Sequence, residues 1–174
     1  MLGDVVKAGV VIFVVVVLQA AIVSTIEPGG GSADLLLVTL TAIALLRGAV
    51  FGAVAGFYAG LLLDAASLET LGLSSLLLTL AGYWIGRYGE TTGRDRVHAP
   101  LLAVGVVTVL YALGGLAMHY LLGDPVSASS GLVDALPAEI LLNLLLTLPV
   151  FALCRRLFAR PGSRPAMEVE FGTN

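Results

Sequence analysis

The stretch LLLVTLTAIALLRGAVFGAVAGFYAGLLLD, residues 35–64, decides the fold. Between Leu35 and Leu63 only Arg47 breaks an apolar run. A single helix over that run would be about 44 Å long at 1.5 Å per residue, well beyond a ~30 Å hydrocarbon core. Two helices meeting at Arg47-Gly48 would each be short. The rest of the chain decides between them.

Composition puts the chain in lipid. Of 174 residues, 58% are hydrophobic and 12% charged, and the mean hydropathy is +1.00. Soluble domains are about 45–50% apolar and about 25% charged. A chain this short cannot hide so much apolar surface in one aqueous core. The net charge of −3 offers no basic field for nucleic acid. One cysteine, Cys154, precludes an internal disulfide or a cysteine-based metal cluster. The first apolar stretch runs into Glu27-Pro28-Gly29-Gly30-Gly31 rather than a small-x-small cleavage site, so it is expected to remain as the first span.

Uncharged runs recur over residues 8–26, 35–46, 48–63, 70–86, 99–123 and 140–154. Unpaired backbone groups cannot face lipid, and the period-2 alternation of a membrane barrel is absent, so these runs are expected to be helices. With two spans on either side of Arg47 the total is six, and all nine Lys and Arg residues fall on one side: Lys7, Arg47, Arg87, Arg94, Arg96, Arg155, Arg156, Arg160 and Arg164. The opposite connections then carry only acids: Glu27, Asp34, Asp64, Glu69, Asp124, Asp134 and Glu139. A single long span would destroy that asymmetry. The positive-inside rule therefore predicts an all-α integral membrane protein, a bundle of about six transmembrane helices with both termini cytoplasmic. The expected spans are about 5–26, 33–46, 48–63, 71–87, 99–122 and 136–157. They form one domain over residues 1–158, followed by a disordered cytoplasmic tail, 159–174.

Tyr83, Trp84 and Tyr88 suit the headgroup layer at the cytoplasmic end of span 4, and Arg155 and Arg156 can snorkel there. Asp134 and Pro137 read as start signals for span 6, leaving 123–138 as an outer loop. Span 3 carries Gly48, Gly52, Gly56 and Gly60, each four residues apart, and span 4 repeats the pattern with Gly82 and Gly86. Glycines so spaced let helices approach backbone to backbone. That serves packing inside the bundle or contact with another protein's membrane helix. Asp64 is expected at the outer interface, capping the next turn or the start of span 4, or else meeting a partner. Arg47 marks a cytoplasmic turn near lipid phosphate, with an ion pair to a partner as the alternative. Gln19 and Asn143 could each hydrogen-bond across helices. His98 and His119 lie on opposite sides and cannot share a metal. No Walker loop, HExxH or GxSxG is present, and no catalytic, cofactor or metal residues are assigned.

The series Arg47-Gly48…Gly56-Phe57-Tyr58-Ala59-Gly60-Leu61-Leu62-Leu63-Asp64, then Leu71-Gly72-Leu73 and Ala81-Gly82-Tyr83, resembles the rod shape-determining protein MreD family of bacteria. There a glycine-spaced helix runs into a Gly-Leu-Leu-x-Asp turn, followed by Leu-Gly and a Tyr in the next span. Arg47, Gly56, Gly60, Asp64, Gly72 and Tyr83 match that pattern. The resemblance implies a non-enzymatic scaffold of the cell-elongation machinery in the cytoplasmic (inner) membrane. It would contact lipids and a bitopic MreC-type protein, and link MreB to peptidoglycan synthases. The competing expectation is the substrate-capture subunit of an energy-coupling-factor vitamin transporter. That reading requires several polar and aromatic groups converging in the outer half, where Asp64, His119, Tyr120, Asp134 and Glu139 are the candidates. A lipid-modifying enzyme would need clustered polar catalysts, and the polar stretch 87–98 reads better as a solvated turn.

Overall fold

The computed structural model describes residues 2–21, 34–67, 72–92, 98–122 and 128–158. Among them there are six helices and no strand: α1 (Leu2–Ala21), α2 (Leu35–Arg47), α3 (Ala49–Ser67), α4 (Leu73–Thr92), α5 (His98–Leu122) and α6 (Ala128–Phe158). The long apolar run is thus two helices. The break at Gly48 has a local cause. Gly48 adopts φ +96°, a left-handed conformation that side chains resist, and its N–H still donates to Ala44 O at 2.8 Å to close α2. Ala49 then opens α3 immediately.

The bundle is built around α2. This helix packs against all five others, and every residue from 36 to 45 is buried. Leu36, Leu37, Leu40 and Ile43 lie at its centre, with Ile12 of α1, Leu78 of α4 and Val107 of α5 packed around them. Large exposed apolar side chains occur on the other five helices: Val10 and Val14 on α1, Val50 and Val54 on α3, Leu76 and Leu80 on α4, Leu102 and Val106 on α5, and Leu141 and Leu145 on α6. None lies on α2. Soluble monomers rarely expose more than a few hundred Å² of contiguous apolar surface, so an apolar belt carried by five helices fits a lipid solvent. Among the described residues, two helices are long and apolar enough to cross a membrane, Ala49–Ala66 and Leu136–Phe158, and Leu35–Arg47 is a shorter apolar helix.

Helix α6 begins earlier than expected. Ala128 starts it, so Pro137 lies inside the helix and 128–138 is not a loop. A proline lacks one N–H and clashes one turn back, which bends a helix without ending it when its surroundings hold the rest. Within α6, Leu136–Phe158 is long and apolar enough to cross a membrane. Residues 22–33, 68–71, 93–97, 123–127 and the expected tail 159–174 lie outside the described residues.

Because α2 is enclosed and α6 carries a broad exposed face, truncations on the two helices should differ. Leu40→Ala removes a side chain with 0% exposure and leaves a cavity, whereas Leu145 is 71% exposed. Thermal unfolding in detergent should register a loss on the order of 2 kcal/mol or more for Leu40→Ala and within about 0.5 kcal/mol for Leu145→Ala. Equal losses would refute a central α2.

Candidate functional site

The closest helix pair is α3 with α4, and the glycines create it. A Cβ built on Gly52 would run into Gly82 O, one on Gly56 into Leu78 O, and one on Gly60 into Ser75 backbone. From the α4 side, Gly82 meets Gly52 O and Gly86 meets Gly48 and Ala49. Four-residue spacing keeps these positions on one slowly drifting face, so the two backbones touch along several turns. Gly48, Gly52, Gly56, Gly60, Gly82 and Gly86 therefore form one internal seam. Gly105 on α5, by contrast, has open space where a Cβ would stand.

Asp64 lies at the far end of that seam. Its carboxylate is fully buried, and it accepts from Gly72 N at 2.7 Å and from Ser74 N at 3.2 Å. These are free donors at the start of α4, so a side chain from α3 caps the helix after it. Gly72 at φ +102° makes the tight entry to α4, and its O accepts from Leu76 N at 3.0 Å. That explains in physical terms why Asp64 and Gly72 occur together. Tyr83 is 42% exposed and packs edge-on against Trp84, with ring centroids 5.8 Å apart. It is not part of the seam.

At the near end, Arg47 turns inward. Its Nη1 donates to Asp4 Oδ2 at 2.8 Å, and its guanidinium stands 5.2 Å from the centroid of the Phe158 ring. Its side chain is only 11% exposed. Glu90 of α4 reaches back to accept from Ala49 N at 2.9 Å, capping α3 as Asp64 caps α4. Two connections in this bundle are thus held by carboxylates from neighbouring helices.

A polar knot closes the other end of α2. Asp34 Oδ1 accepts from Leu37 N at 2.8 Å and from Gln19 Nε2 at 3.1 Å. Gln19 Oε1 accepts from Leu36 N at 2.8 Å, and Asn143 Oδ1 accepts from Asp34 N at 2.8 Å. Asn143 Nδ2 in turn donates to Thr108 Oγ1 at 3.2 Å. Gln19 and Asn143 do bond across helices, but through Asp34 and the α2 backbone rather than to each other. Asp34, Asp4 and Glu90 were not among the expected site residues. An acid directly before an apolar helix is an N-cap signal, which could have singled out Asp34; no sequence signal pairs Asp4 or Glu90 with its partner.

No group of three or more His, Cys, Asp or Glu side chains among the described residues could hold a metal. The side chains of His98, His119 and Asp134 lie outside the described residues; Tyr120 is 82% exposed. An open groove of about 400 Å³ between α1 and α3 is lined by Phe13, Val16, Val17, Ala21, Leu62 and Ala66, all of them apolar.

The seam and its cap make two predictions. Gly56→Leu should collapse the folded yield or lower the melting temperature sharply, because Leu78 backbone cannot yield, while Gly105→Leu should leave both unchanged. Asp64→Ala should cost about 1–3 kcal/mol in unfolding experiments, since the N–H groups of Gly72 and the buried Ser74 lose their acceptor. A Gly56→Leu protein as stable as the parent would dissolve the seam as a determinant of the fold.

Comparison with known proteins bears on this geometry. No curated protein and no solved structure matches the chain. The family model described as rod shape-determining protein MreD matches residues 5–157, from the first turn of α1 almost to the end of α6. That match takes in the seam, both connection caps and the polar knot, and the chain belongs to the MreD family of rod shape-determining proteins.

Proposed function

We propose that this protein is a non-catalytic scaffold of the bacterial cell-elongation machinery, spanning the cytoplasmic membrane six times with both termini inside. It binds an MreC-type bitopic partner through its lipid-facing helices and links MreB to peptidoglycan synthases. The carrying observation is the family match over residues 5–157. The single domain, about 1–158, and the cytoplasmic tail, 159–174, belong to this proposal.

The arrangement of side chains supports it. Asp4, Arg47 and Phe158 meet at one end of the bundle, so the two ends of the described chain lie together there. That arrangement supports an even number of crossings, and the cations Lys7, Arg87, Arg155 and Arg156 support this end as the cytoplasmic side. Five polar side chains bond inside the bundle: Asp64 to the start of α4, and Asp34, Gln19, Asn143 and Thr108 to one another and to α2. Side chains used this way are structural. A capture subunit would instead hold such groups open toward a cavity, and a lipid-modifying enzyme would aim them at the interface.

The test is depletion and co-purification in a rod-shaped bacterium that carries the protein. Depletion should round the cells, and tagged protein from gently solubilised membranes should retrieve an MreC-type protein together with cell-wall synthases. Unaltered rods, or retrieval of a membrane coupling subunit with its ATPases, would overturn the scaffold reading.

A further inference from the structure

Helix α2 ends in two polar residues, and each of them holds the same two flanking helices. Arg47 binds Asp4 of α1 and lies over Phe158 of α6. Asp34 binds Gln19 of α1 and Asn143 of α6. Fifteen residues separate Asp4 from Gln19, and fifteen separate Asn143 from Phe158. Each interval is about 22 Å of helix, so α1 and α6 are pinned at matching heights. The packed helix pairs include α1 with α2 and α2 with α6, but not α1 with α6. What α1 and α6 share is the two ends of α2.

We propose that α2 acts as a two-ended clamp that couples α1 to α6, so that displacement of one flanking helix is passed to the other through Arg47 and Asp34. The enclosed α2 has buried side chains from 36 to 45 and cannot tilt without breaking both ends. Both flanking helices carry broad exposed apolar faces, Val6, Val10 and Phe13 on α1 and Leu141, Leu145 and Leu148 on α6. A load on either face therefore reaches the other helix. The inference rests on contacts within the chain and stands apart from the cell-shape reading.

Cys154 supplies the reporter. It is the chain's single cysteine, it is 2% exposed, and it lies one helical turn before Phe158 on α6. Labelling by a small maleimide is measured on the full chain in lipid nanodiscs. Asp4→Asn changes only α1, yet it should speed labelling of Cys154 about fivefold, because the guanidinium, without its carboxylate, leaves Phe158. Val10→Ala, on the exposed face of α1, should leave the rate unchanged. At the other end, Gln19→Leu should raise amide exchange in α6 around Asn143, with α3 and α4 unaffected. Cys154 labelling by Asp4→Asn no faster than by Val10→Ala, or exchange effects confined to α1 in Gln19→Leu, would overturn the clamp. So would a rise that extends equally through α3 and α4, since that reports general loosening.

Discussion

The rest of the structure depends on one constraint: a short helix without a lipid face must have both its ends satisfied by protein. Helix α2 has thirteen residues, about 20 Å, and lies inside the bundle from end to end. In an apolar surrounding each unpaired backbone donor costs several kcal/mol, so its first turn cannot rely on water. Asp34 takes Leu37 N, Gln19 takes Leu36 N, and Asp34 O takes Val38 N at 3.1 Å. Asn143 takes the N–H of Asp34 itself. These donors are answered from α1, α2 and α6 at once, which is why three helices converge at one polar point in an otherwise apolar molecule.

The second organising element follows from the solvent. In lipid, apolar side chains gain little by leaving the surroundings for the bundle interior, so helices are held by close packing and polar contacts. The α3–α4 seam does both. Its glycines bring backbone against backbone, where many atom pairs each add a small dispersion attraction. Its two ends are closed by carboxylates, Asp64 at the start of α4 and Glu90 at the start of α3. A seam rigid along its length and capped at both ends gives the molecule a fixed wall, against which α2 is set.

Each position in the pattern that marks the resemblance also has a physical task in this fold. Gly56 and Gly60 are required by backbone contact, Gly72 by its left-handed turn, and Asp64 by the donors it caps. Arg47 is required by two partners on different helices. Such positions fix how the helices of the bundle are arranged.

The helical nature of the molecule, the division of residues 35–63 into two helices, and the glycine face of α3 were all legible in the sequence. Hydropathy, charge placement and four-residue spacing act locally along the chain, and local signals survive in one dimension. The role of Asp64 as a cap was open to the same reading, because the N–H groups it accepts from lie only eight and ten residues on. Tertiary structure alone decided that Arg47 turns inward to Asp4 and Phe158, that Glu90 caps a helix forty-one residues before it, and that Gln19 and Asn143 meet through Asp34. It also decided that α6 starts at Ala128, since polar first turns carry no hydropathy signal. Pairings between residues far apart in sequence depend on which helix lies beside which, and that arrangement is set by packing in three dimensions, where no single segment carries the information.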